Sequence, residues 1–178
     1  MPRLIGVQIG SARRVMIQGR FVMTAIHKLP VSATVPVTPL GLRGDEQVDL
    51  SVHGGLNKAV YAYPSEHYPF WCAARSEHGL TGIDESLPWG SMGENLTLAG
   101  ILESELWVGD VLRFANCLLR VTQPREPCYK FNAAMGSTQL QKSWRKQDAV
   151  VSIWQWISQA VCGREKNLRL LPVSVNLA

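Results

Sequence analysis

The sequence predicts a mainly β fold: a compact barrel with a few helices, among them an amphipathic C-terminal helix. About eight short apolar or alternating runs lie between Leu4 and Thr122, closely spaced and separated by Gly or Pro turns. One helical stretch interrupts them, and the last forty or so residues switch to helical spacing. Many short strands in succession favour a barrel over a doubly wound sheet. Residues 1–137 are therefore read as the barrel, and residues 138–178 as a separate C-terminal helix and final strand packing on it.

Residues 4–9 alternate, with Ile5, Val7 and Ile9 on one face, and Gly10-Ser11 ends that strand. Residues 15–17 and 21–26 read as short strands around Gly19, and His27 as a solvated strand residue. Pro30, Pro36 and Pro39 then keep the chain extended. Residues 41–47 form a charged, glycine-rich turn. Gly54 and Gly55 follow His53 and permit positive φ and close backbone approach to a ligand. Residues 59–63 read as a strand. A helix is predicted from Pro64 to His78, stopped by Gly79, with Pro69 splitting off its first turn and His67 and His78 on exposed faces. Residues 90–98 are a second glycine-punctuated loop feeding a strand. Residues 106–114 read as a strand pair bent at Gly109-Asp110, with Asp110 capping the turn.

Residues 117–122 read as a buried strand, and it delivers Gln123-Pro124-Arg125-Glu126-Pro127-Cys128-Tyr129-Lys130. The two prolines hold Gln123 and Glu126 extended and stiffen the stretch. It presents Cys128 between Arg125 and Lys130. Cationic neighbours suit a thiolate, which is the nucleophile and the soft metal ligand. Free cysteines are also commonly buried hydrophobes, and residue type alone does not separate the two readings. In the C-terminal part, Asp148 is a fair N-cap and Gly163 a fair stop. Val150, Ile153, Trp154, Ile157 and Val161 fall at helical spacing between them. That face is expected to pack on the barrel, with a dimer or partner surface as the alternative. Residues 168–175 read as a last strand.

Composition narrows the function classes. Hydrophobic residues are 46% and charged residues 18%, which argues against disorder. The net charge of +4 suits an anionic ligand, but the basic residues are scattered, so nucleic-acid binding is not expected. The four cysteines form no Cys-x-x-Cys pair, which argues against zinc. No signal core or membrane-length apolar run is present, so a cytoplasmic protein with reduced thiols and no membrane contact is expected. The phosphate-binding glycine fingerprints and the Gly-x-Ser-x-Gly elbow are absent.

Four polar loops sit at predicted strand ends: residues 41–47, 53–58, 93–95 and 123–132. If they converge at one mouth, they bring together Cys128, the cations Arg43, Lys58, Arg125 and Lys130, and the hydrogen-bonding His53, Asn57, Asn95 and Asn132. Soft sulfur among cations suits an anionic, metal-bearing cofactor.

The ordered motifs Gly41-Leu42-Arg43-Gly44-Asp45, His53-Gly54-Gly55 with Lys58-Ala59-Val60, Gly93-Glu94-Asn95-Leu96, Gly109-Asp110 and Gln123-Pro124-Arg125-x-Pro127-Cys128-x-Lys130 resemble the MOSC domain. That family is named for the C-terminal domain of molybdenum cofactor sulfurases. The resemblance is greatest to its YiiM-like branch, linked to 6-hydroxylaminopurine resistance, and runs from about residue 3 to about residue 136. It implies molybdenum cofactor (molybdopterin) binding, with Cys128 as metal ligand and catalytic residue. It implies cofactor contacts from Arg43, Asp45, His53, Gly54, Gly55, Asn57, Lys58, Asn95, Gln123, Arg125, Lys130 and Asn132. The implied reaction is reduction of N-hydroxylated bases to amines, with a small-molecule substrate and an electron-donor reductase as partners. A persulfide-carrying sulfur transferase and a non-enzymatic cofactor-binding module are the alternatives. Pyridoxal phosphate is a lesser cofactor expectation. After about Met135 the chain departs from the branch: its glycine-tryptophan or glycine-tyrosine segment is not found, and its small C-terminal helical bundle is shortened or absent.

Overall fold

The computed structural model describes residues 2–50, 53–80, 86–114, 117–125 and 127–140, and the backbone pairing of 153–158 and 168–170. Twelve strands run in chain order: β1 (Arg3–Ile9), β2 (Arg13–Ile17), β3 (Arg20–Thr24), β4 (Leu29–Pro30), β5 (Val37–Thr38), β6 (Gly41–Leu42), β7 (Val60–Pro64), β8 (Leu96–Ala99), β9 (Val111–Arg113), β10 (Leu118–Arg125), β11 (Ile153–Ser158) and β12 (Leu168–Leu170). Helix α1 (Tyr68–Glu77) lies between β7 and β8, and α2 (Tyr129–Ala134) follows β10. The fold is mainly strand with few helices, as predicted. Eight strands form one sheet in the order β12-β9-β10-β11-β7-β8-β1-β4, and β2–β3 and β5–β6 are separate hairpins. The outer strands β12 and β4 are not paired to one another among the described residues, and this mainly β architecture is compatible with the expected barrel.

Strand β7 is the structural axis. All five of its residues are buried, and their period of two serves two cores. Val60 and Ala62 join Leu96, Leu98, Leu112, Leu119 and Val121 on one side. Tyr61 and Tyr63 join Tyr68, Trp71, Phe131 and Met135 on the other, under α1 and α2. Trp71 is fully buried and donates its indole N–H to the Tyr63 hydroxyl at 2.6 Å.

Several expectations are corrected. The stretch 153–158 is strand β11, not amphipathic helix; it pairs antiparallel with β10 and with β7. Helical spacing and strand alternation both fit Ile-Trp-Gln-Trp-Ile, and Ile and Trp favour strands. The facing edges of β10 and β7 decide, because without β11 their backbone groups would go unpaired. The segment after residue 137 therefore supplies a central strand, and the dimer surface argued from a helix face loses its premise. Asp148, Val150, Val161, Cys162, Gly163 and residues 171–175 lie outside the described residues. Strand β12 pairs parallel with β9, a final strand over the first part of the predicted range.

Residues 106–108 are not a strand, although Asp110 does cap the turn, accepting the Trp107 N–H at 3.0 Å. In agreement with the reading of Pro69, the first turn of the predicted helix is separate and α1 starts later than Pro64. Ser65–His67 form a separate 3-10 turn, and Pro69 sits in the first turn of α1, where a missing N–H is tolerated. His67 lies in that turn and is buried, 2.8 Å from Glu103, rather than exposed. His27 is half-buried and lies beyond β3.

Candidate active site

Strand β10 runs on through Pro124 to Arg125, because its extended backbone pairs with β11 as well as obeying the prolines. The chain then turns at Cys128, which has φ −117° and ψ 173° and caps α2; its carbonyl accepts the Phe131 N–H at 2.9 Å. Strand and helix, each packed in a core, thus fix the backbone on both sides of the thiol. Cys128 is free and half-buried.

It opens onto a solvent-accessible cleft. Asp45, His53, Lys58, Asn95, Arg125, Cys128 and Lys130 all line this space. Arg43, Gly54, Gly55, Asn57, Gln123 and Asn132 do not. Arg43 and Asn57 are exposed, and the Asn57 carbonyl accepts the Thr122 hydroxyl at 2.8 Å. Asn132 is buried on α2 and donates to the Thr138 carbonyl at 3.3 Å. A Cβ on Gly54 would lie 2.5 Å from Gln47 Oε1, so the close approach predicted there is to the loop's own side chain.

Sequence reasoning passed over Lys28, Tyr61 and Gln47, which also line the cleft. The Gln47 amide donates to the Leu40 and Ala59 carbonyls at 3.0 and 3.1 Å and accepts the Gly55 N–H at 2.9 Å. It ties the 53–58 loop to β7, and its place at the end of the 41–47 turn was the available signal. Tyr61 faces Arg125, whose guanidinium lies 4.7 Å from the ring centroid. The Tyr61 hydroxyl is buried with no hydrogen-bond partner among the described residues.

Charge is distributed unevenly around the cleft. Asp45 pairs with Lys28 and accepts the Gly10 N–H at 2.7 Å, and the Glu46 carboxylate takes the Ala12 N–H. Arg125 and Lys130 form no ion pair among the described residues. Asn95 is committed to the scaffold: Oδ1 accepts the Tyr61 N–H at 3.1 Å and Nδ2 donates to the Gln8 carbonyl at 3.2 Å.

Burial, with Arg125 and Lys130 next, pushes the His53 imidazole down to about 4, so it is neutral at pH 7. The folded value lies below the ordinary 6.5, so on acidification the unfolded chain takes the proton first. Stability present above 6.5 is lost as pH falls from 6.5 towards 4. Urea midpoints of the ligand-free chain are expected to fall through that window, and to fall less in His53→Gln. Parallel pH profiles for the two proteins would refute the assignment.

Among the described residues, no group of three or more His, Cys, Asp or Glu side chains is placed to hold a metal ion. One accessible sulfur amid cations instead suits a metal that brings its remaining ligands on an anionic carrier. The unpartnered Tyr61 hydroxyl adds a hydrogen-bonding group at the same wall.

The MOSC domain model matches residues 49–162, which includes the Cys128 loop and β11. The chain belongs to the MOSC domain family. The family match runs past residue 136, where the resemblance of the motifs stopped, because it takes in the central strand β11. Protein YiiM of Escherichia coli is 41% identical over 109 residues, covering 61% of this MOSC chain and 46% of that protein. A protein of Gibberella moniliformis named Reductase is 32% identical over 132 residues, 73% of this chain and 22% of that one. The chain thus spans less than half the length of either relative. The crystal structure of YiiM from Geobacillus stearothermophilus superposes with a TM-score of 0.65 at 26% identity, covering 90% of this chain and 69% of that one. Among the described residues no helix is long and apolar enough to cross a membrane.

Proposed function

We propose that this MOSC protein binds the molybdenum cofactor in the Cys128 cleft and reduces N-hydroxylated bases to amines. The observation that carries the reading is the placement of one half-buried free cysteine in a cleft also lined by Lys28, Lys58, Arg125, Lys130 and a neutral His53. That donor set fits an anionic cofactor whose metal takes a single protein sulfur. The relative named Reductase is consistent with it. When bound, the cofactor would supply two-electron redox chemistry.

The chain's own residues hold and orient. Cys128 Sγ is the metal ligand. Lys58, Arg125 and Lys130 neutralise phosphate and dithiolene charge, and the stacking of Arg125 on Tyr61 fixes one of these cations in direction. Neutral His53 donates a hydrogen bond without adding charge. In the net reaction the N–O bond of the hydroxylamine breaks, two electrons and two protons are taken up, and amine and water leave. The electrons come from a partner reductase.

Metal analysis tests the reading. Wild-type protein from molybdenum-replete cells is expected to carry about one molybdenum per chain, and Cys128→Ala to lose most of it. Equal molybdenum in the two proteins defeats the assignment of the sulfur ligand. A metal-free chain whose Cys128 carries the mass of one extra sulfur would make it a sulfur carrier instead.

A further inference from the structure

A second cleft opens beside the first. Ile26 and Lys28 line both clefts, so this short segment is a shared wall. Glycines hold the wall in place. A Cβ on Gly10 would lie 2.7 Å from the Ala25 carbonyl oxygen, one on Gly90 2.9 Å from that of Lys28, and one on Gly93 2.8 Å from Ile26 Cγ1. Three elements set cations around the second cleft: Arg13 from β2, Lys28 from the wall and Arg75 from α1.

No Asp or Glu is among its described lining residues. Neither Arg13 nor Arg75 forms an ion pair among the described residues. The Arg75 Nε is buried without a hydrogen-bond partner. Buried donors are almost always satisfied, so this cleft-lining arginine keeps donor capacity that the protein itself does not use. His27 stays neutral, lowered by burial and then by Arg13, and adds a hydrogen-bonding ring rather than charge. Two guanidinium groups without carboxylate partners among the described residues match a dianion, and their planar forks match phosphate oxygens.

Resting on the reading of the first cleft as the reduction site, we propose that the second cleft binds the phosphate monoester of the substrate. The preferred substrate is then an N-hydroxylated nucleotide, its base at the Cys128 cleft and its phosphate between Arg13 and Arg75, rather than the free base.

Calorimetric titration of the full, cofactor-free chain with AMP and with adenosine tests this. AMP is expected to bind at least about 10-fold more tightly, with inorganic phosphate competing. Arg75→Gln and Arg13→Gln are each expected to lose about 10-fold in AMP affinity while keeping adenosine affinity and the thermal midpoint. Equal affinity for AMP and adenosine, or AMP binding indifferent to both substitutions, overturns the proposal. AMP binding must also survive loading of the cofactor; if loading abolishes it, the cleft serves the cofactor's own phosphate and the proposal falls. Metal analysis separates this claim from the one beneath it. Arg75-dependent AMP binding by a chain that takes up no molybdenum supports the phosphate site and removes the reduction reading. A molybdenum-loaded chain that reduces hydroxylaminopurine and its monophosphate equally well removes the phosphate site alone.

Discussion

Glu94→Ala is expected to destabilise the ligand-free chain by about 3–5 kcal/mol, read from urea unfolding. Glu94 is fully buried and sits at the centre of a hydrogen-bonded turn. Its carboxylate accepts from the Tyr68 hydroxyl, from the Gly90 N–H at 2.6 Å, from the Met92 N–H at 3.1 Å and from the Thr97 hydroxyl at 3.0 Å. Burial pushes its carboxyl above the usual range, and those donors pull in the opposite direction. Alanine removes the acceptor and leaves buried donors unpaired over a cavity. Glu94→Gln keeps the volume but turns an NH2 towards N–H and O–H donors, and is expected to cost about 1–3 kcal/mol. The consequence reaches the clefts. Gly90 and Gly93 belong to this turn and press on Lys28 and Ile26, so loss of Glu94 loosens the wall between the two clefts. A loss below about 1 kcal/mol in Glu94→Ala would show that the turn stands without it.

Asp45→Ala is the second large effect, a loss of about 3 kcal/mol. Lys28 and Asp45 are nearly buried, with 8% and 3% of their side-chain surface exposed. Removing the carboxylate strands an ammonium in the wall. Burial already lowers the Lys28 affinity for protons, and Asp45 is the chief opposing influence. In Asp45→Ala the folded chain therefore sheds the Lys28 proton more readily than the unfolded chain does. The unfolded chain then binds more protons, so stability rises with pH and the defect is expected to shrink towards about pH 10. Adding Lys28→Met should recover most of the loss, because it removes the stranded charge. Asp45→Ala that unfolds like wild type, but carries less molybdenum, would make Asp45 a cofactor contact instead of half of an ion pair.

Residue chemistry made part of the site legible. Cys128 between Arg125 and Lys130 could be read directly, because the prolines and flanking charges are local. His53 and Lys58 were reachable from the glycine-punctuated loop that carries them. Asn95 has a second, scaffold role that the sequence did not show. A polar residue beside Gly93 reads as a ligand contact, yet its amide holds the β7 backbone to the Gln8 carbonyl, partners 34 and 87 residues away. Gly54 likewise makes room for Gln47. Lys28 and Tyr61 gave no signal, since a lysine after a short strand and a tyrosine inside one are ordinary; only their neighbours make them part of the cleft.

By itself the sequence determined the mainly β character, the turn positions and the stiff presentation of Cys128. These follow from local backbone preference and side-chain alternation. The tertiary structure alone decided that residues 153–158 complete the sheet as a strand, that Lys28 and Asp45 close the wall of the clefts, and that Glu94 organises the turn behind it. The physical reason is the same in each case. A buried backbone edge, ammonium or carboxylate must find a partner, and that partner lies far along the chain, where local patterning carries no record of it.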